Sequence, residues 1–194
     1  MATDLPPGSS FSADTTGNAT QVDRDNGHVT DQPGLAESTA FEEMLRTGQY
    51  RDAMQVFSVQ NSQLIREQYR TALIQYLNTL LRLKDYPNAD TILSAYLSVE
   101  YRDVDVLLLR ARLYSLQGRY RQAIEALYEA KSYEYRTSQL TLITERIRSA
   151  VADYDRQLQD TEALQTRLAL YEYLVQVEPD YSPYFIALAR TQLD

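Results

Sequence analysis

A chain of 194 residues leaves room for one domain or a short array of repeats, and an apolar fraction of 44% supplies the material for a core. The absence of cysteine excludes disulfides and thiolate metal sites. Residues 1–38 hold six acids and one base, residues 39–194 hold 21 acids and 18 bases, so the net charge of −8 divides into −5 and −3. A nearly balanced body lacks the basic stripe that nucleic acid requires, and no apolar run approaches the roughly eighteen residues of a membrane span. Neither nucleic acid nor a direct membrane span is therefore expected.

Residues 1–38 are rich in Pro, Gly, Ser, Thr, Asp and Asn, with one aromatic, Phe11. Such a segment cannot bury enough apolar surface to offset the entropy of ordering, and it reads as a flexible acidic leader. Three short patterns in it carry no chemistry. Asp23-Arg24-Asp25-Asn26-Gly27-His28 resembles a calcium loop, but its glycine comes one place early and Gly34 stands where the closing glutamate belongs. Asp14-Thr15-Thr16-Gly17 has an extra threonine and no second half for an aspartic-protease pair, and Asn18-Ala19-Thr20 is a glycosylation sequon. The first residues lack the basic start and apolar centre of a signal peptide. The expected compartment is the bacterial periplasm or cell envelope, on the reading that an export signal has been removed, with the cytoplasm as the alternative.

The body, 39–194, reads as helices throughout. Thr39-Ala40-Phe41-Glu42 has the form of a capping box and opens a short helix to Thr47. Gly48-Gln49-Tyr50 turns the chain into a second helix with Ala53, Val56 and Phe57. A long helix from about Ser62 to Leu83 carries Leu64, Ile65, Tyr69, Leu73, Tyr76, Leu77 and Leu80 at spacings of three and four. Lys84-Asp85-Tyr86 is the next turn, and Pro87 suits the first turn of the helix bearing Ala89, Ile92, Leu93 and Tyr96. Asp103 caps a helix over Val104 to Leu116, and Gly118 turns it into a partner ending near Tyr133. Thr137 or Ser138 caps a helix with Ile143, Ile147, Val151 and Leu158 on one face. Asp160 is expected to start another, with Leu164, Leu168, Tyr171, Leu174 and Val177. Ser182-Pro183 opens a last, unpaired helix over 182–193. The count is nine helices and no strand.

The three turns superpose. Gly48-x-Tyr50-x-x-Ala53-x-x-x-Phe57 matches Gly118-x-Tyr120-x-x-Ala123-x-x-x-Leu127, and Lys84-x-Tyr86-x-x-Ala89-x-x-x-Leu93 matches both except at the glycine. The tyrosines lie 36 and 34 residues apart. This pattern resembles the tetratricopeptide repeat (TPR), a 34-residue helix–turn–helix unit. The resemblance is best over 70–103 and 104–137, partial over 34–60 and weak over 138–178, and the family's tryptophan is absent. It implies an all-α fold of antiparallel helix pairs stacked as a right-handed TPR-like α-solenoid. It also implies a peptide-binding groove lined by the first helix of each pair. Carried over by position, that face presents Thr71, Ile74, Asn78, Leu81 and Arg82, then Asp105, Leu108, Arg112, Ser115 and Leu116. Ile74 and Leu108 stand where the family's chaperone-tail clamp needs lysines, so a chaperone's C-terminal carboxylate is not the expected ligand.

No catalytic constellation accompanies the repeat. The one histidine, His28, lies in the leader, and there is no glycine-rich phosphate loop. All sixteen tyrosines lie after residue 49, mostly on apolar stripes where core packing accounts for them. The expectation is a non-catalytic interaction scaffold with neither cofactor nor metal. Its groove suits a protein or peptide segment with an acidic residue near an aliphatic one, held by Asn78, Arg82 and Arg112. The alternative is an accessory helical-repeat module of a larger enzyme, such as an envelope peptidase or a cell-wall or polysaccharide enzyme. A third expectation is an interface, including self-association, on the apolar last helix at Tyr184, Phe185 and Leu188.

Overall fold

The computed structural model describes residues 33–160 and 163–193, and these are all-helical. In chain order the helices are α1 (Pro33–Arg46), α2 (Tyr50–Val59), α3 (Gln63–Leu83), α4 (Tyr86–Leu97), α5 (Val104–Leu116), α6 (Tyr120–Tyr133), α7 (Thr137–Asp160), α8 (Leu164–Val177) and α9 (Ser182–Thr191). None is long and apolar enough to cross a membrane.

Three of the connections share one geometry. Gly48, Lys84 and Gly118 all adopt positive φ, at 80°, 60° and 70°. In each turn the amide of that residue donates to the carbonyl three residues back, and the next amide donates to the carbonyl five back. The pairs are Gly48 to Leu45 and Gln49 to Met44, Lys84 to Leu81 and Asp85 to Leu80, and Gly118 to Ser115 and Arg119 to Tyr114. These are Schellman closures, which satisfy carbonyls that a helix end otherwise leaves orphaned. Lys84 therefore does the work of the missing glycine by taking a left-handed conformation itself. The positions that follow are equivalent too. Ala53, Ala89 and Ala123 are fully buried, Phe57, Leu93 and Leu127 are buried, and Tyr50, Tyr86 and Tyr120 are half-buried. Alanine at these points lets two helix backbones approach.

Several expected boundaries move. The leader expected over 1–38 lies outside the described residues as far as Gln32, and from Pro33 the chain is helical. Thr39 and Glu42 thus sit inside α1 and form no capping box, because the helix has already started a turn and a half earlier. Asp160 ends α7 instead of opening α8, whose N-cap is Ala163. Leu64, in the first turn of α3, is 71% exposed. The buried face there runs Ile65, Tyr69, Leu73, Leu77, and Leu64 stands about 100° away from it around the helix.

The core joins all nine helices of the described residues. α1 packs on α2, α3 on α4 and α5 on α6, while α1, α2 and α3 also contact the helix two further along. Phe41 stacks on Tyr69 with ring centroids 4.3 Å apart, and Phe57 meets Tyr96 at 5.2 Å. At the other end Tyr184 is buried between α6, α8 and α9, its ring edge-on to Tyr181 at 4.7 Å. Tyr184 was expected on an interface, and it belongs to the core instead.

Two buried carboxylates fix the joints. Asp103, the N-cap of α5, accepts from Arg70 Nε at 2.6 Å, Arg70 Nη2 at 2.8 Å, the Tyr96 hydroxyl at 2.8 Å and the Val106 amide at 3.3 Å. Burial would raise its pKa, but the hydrogen bonds from Arg70 and Tyr96 outweigh burial and hold it below the usual carboxylate value. One side chain thus ties α3, α4 and α5 together. Glu134, between α6 and α7, accepts from the Arg136 guanidinium and from the Arg136 and Tyr135 amides. Those bonds, the Arg136 side chain first, bring its pKa down to about 2.

Candidate functional site

A groove of about 720 Å³ opens between α3, α5 and α7. Ile74 is the contribution of α3. Helix α5 supplies Asp105, Leu108, Leu109, Arg112 and Ser115, whose spacings of three and four keep them on one face. Helix α7 supplies Gln139, Arg146, Ser149, Ala150 and Asp153 in the same way. The floor is apolar, with Ala111, Leu127 and Ala150 buried and Ile74, Leu108 and Leu109 half-buried. The rim is polar and mixed in charge. Alanines and serines line the walls where longer side chains would fill the space. A concave site with an apolar floor and a few polar groups is what a bound segment needs.

The groove brings together Ile74, Asp105, Leu108, Arg112 and Ser115 from the expected face and leaves the other five outside it. Thr71 is exposed, and its hydroxyl donates to the Glu67 carbonyl of its own helix at 2.7 Å. Asn78 has both functions engaged: its Nδ2 donates to the Ile74 carbonyl at 2.9 Å, and its Oδ1 accepts from Arg112 Nη1 at 3.1 Å. One Nδ2 hydrogen and one Oδ1 lone pair remain, but both functions are anchored within the fold, and the side chain steadies Arg112. Arg82 and Leu116, in the last turns of α3 and α5, are exposed beyond the groove. Leu81, placed on that face by position, is buried in the core.

The α7 side of the groove was not foreseen. The 34-residue period of the two best repeats points to it, although the unit over 138–178 matches the repeat only weakly. Adding 34 to Arg112 and Ser115 gives Arg146 and Ser149, and adding 34 to Asn78 gives Arg112. The same step takes Ile74 to Leu108 and Leu108 to Leu142. Of these, Ile74 and Leu108, Arg112 and Arg146, and Ser115 and Ser149 line the groove, each pair one period apart like two rungs, and the Asn78–Arg112 hydrogen bond joins α3 to α5.

The charges on the rim are not equally free. Asp105 Oδ2 accepts from Arg70 at 2.6 Å, and Asp153 Oδ1 accepts from Arg156 at 3.1 Å, so both acids are paired with arginines from outside the groove. Arg112 and Arg146 have no carboxylate partner among the described residues.

The expected C-terminal interface is reduced. Tyr184 is internal, Leu188 is half-buried against the core, and Phe185 and Ile186 are 46% and 53% exposed.

No protein-family model matches the chain, and no curated protein and no solved structure is significantly similar to it.

Proposed function

We propose that this chain is a non-catalytic interaction module of the tetratricopeptide kind, which holds a protein or peptide segment in the groove between α3, α5 and α7. The observation that carries the reading is the groove itself: three helices one repeat apart present equivalent residues across an apolar floor with a polar rim. The three matching Schellman closures and the buried alanines support a right-handed stack of antiparallel helix pairs, because each turn then repeats the same helix-to-helix geometry. Such a stack makes the first helices of successive pairs neighbours on one surface. Mixed charge on the rim suits a polar segment with a few apolar anchors more than a broad apolar interface.

A peptide-library selection on the wild-type chain and on Ser149→Trp tests this. Ser149 is exposed on the groove wall, so an indole there fills the groove without entering the core. Peptides selected by the wild type should fail to bind the variant while its melting curve is unchanged. Undiminished binding to Ser149→Trp would place the interaction elsewhere.

A further inference from the structure

We propose that the groove takes an extended acidic segment in which carboxylate and aliphatic side chains alternate, each carboxylate meeting one arginine rung. The proposal rests on the groove reading above and names the chemistry of its occupant. Successive rungs repeat a two-part element. Leu108 precedes Arg112 by four residues on α5, and Leu142 precedes Arg146 by four on α7. Residues four apart stand one above the other on a helix face, so each rung presents an aliphatic group beside a guanidinium. Leu108 is half-buried on the groove floor, and Leu142, one turn from Arg146 and outside the groove lining, is 47% exposed, so each arginine has aliphatic surface one turn away along its helix.

Charge decides the sign of the partner. The acids on the rim are already satisfied by Arg70 and Arg156, whereas Arg112 and Arg146 lack a carboxylate. Asn78 aligns Arg112 by offering it a neutral acceptor, which leaves the guanidinium charge uncompensated. A guanidinium takes a carboxylate through two parallel N–H donors, which fixes orientation as well as attraction. Ser115, Ser149 and Gln139 on the walls offer hydroxyl and amide groups to unpaired backbone N–H and C=O. An extended segment has such groups to satisfy, whereas a helix satisfies its own. With attraction confined to the two rungs and a net charge of −3 over the body, the groove suits a short acidic segment and not the long continuous charge of a nucleic acid.

The test is a titration by fluorescence anisotropy with a capped, labelled octapeptide of alternating Glu and Leu, its Gln–Leu and Lys–Leu counterparts, and an oligothymidylate. The Glu–Leu peptide should bind at least about tenfold more tightly than the Gln–Leu peptide. Arg112→Gln and Arg146→Gln should each weaken it by about tenfold, a difference of about 1.4 kcal/mol, with melting curves unchanged. The double Arg112→Glu, Arg146→Glu variant should prefer the Lys–Leu peptide. Equal binding of the Glu and Gln peptides, no binding of the acidic peptide, indifference to both arginines, or capture of the oligothymidylate in its place overturns the proposal. If library-selected peptides without acids bind the wild type and are lost with Ser149→Trp, the groove stands and the acidic occupant is wrong. If they survive Ser149→Trp, the groove reading itself has failed.

Discussion

Replacing Lys84 by glycine should stabilise this protein, and replacing Gly118 by alanine should destabilise it by a similar amount. Lys84 sits at φ 60°, ψ 24°, where a residue with a Cβ costs roughly 1–2 kcal/mol. Glycine removes that cost but adds freedom to the unfolded chain, worth about 0.4–1 kcal/mol in the other direction. The difference is a gain of about 0.5–1 kcal/mol. Gly118 is the mirror case. A Cβ built on it meets nothing within 4 Å, so only the backbone term operates and the loss should also be about 0.5–1 kcal/mol. Lys84→Ala separates the two effects, since alanine keeps the strained backbone and should leave stability within about 0.5 kcal/mol of wild type. Urea melts followed by circular dichroism measure all three, and the midpoint should move by a few tenths of a molar in opposite directions for Lys84→Gly and Gly118→Ala. A neutral or destabilising Lys84→Gly would refute the claim that these turns are one motif with one backbone requirement.

Asp103→Ala should cost about 3 kcal/mol, because it leaves Arg70 Nε and the Tyr96 hydroxyl without their acceptor, with only the Asp105 pairing of Arg70 remaining, and removes the cap of α5; differential scanning calorimetry reads the loss, and a cost below about 1 kcal/mol would remove Asp103 from the joint. Ala123→Leu should cost about 1–3 kcal/mol through overpacking, measured by denaturant melts, and wild-type stability would mean that α5 and α6 are not held as close as they stand. Glu134 is depressed from an ordinary 4.5 to about 2. A carboxylate with a lowered folded pKa contributes stability above its unfolded value and loses it as pH falls through the folded one, so the contribution should fade between about pH 4.5 and about pH 2. Glu134→Gln should therefore flatten the pH dependence of the melting temperature in that window, and an unchanged slope would show that the Arg136 contacts do not form in solution.

Much of the helical plan was legible because its determinants are local. Apolar residues at spacings of three and four located the core faces of α3, α6 and α7, and Asp103 was readable as a cap from its place before an apolar run. The start of α1 was not legible, since Gly34, Ser38 and Thr39 are weak helix formers and Phe41 and Leu45 hold the segment by packing. The ring of Tyr120 is half-buried against Tyr154, so truncation to alanine should cost nearer 2 kcal/mol than a full core deletion. Spacing cannot say whether a residue on an outer face is free. Asn78 lay on the expected face, yet its donor and acceptor are both used within the fold. Arg146 and Ser149 were one repeat beyond Arg112 and Ser115, but they lie in a unit whose small residues have diverged, and only the placement of α7 joins them to the site. Tyr184 and Phe185 are neighbours in an apolar stretch, and which of the two turns inward depends on contacts with α6 and α8.

The most direct measurement is amide chemical-shift mapping of the isotope-labelled chain on addition of the alternating Glu–Leu peptide. The account predicts that the perturbed amides cluster on the groove-facing positions of α3, α5 and α7, around Ile74, Arg112 and Arg146. Perturbations confined to α9, around Phe185 and Ile186, or no perturbation in α5 and α7 at saturating peptide, would contradict it.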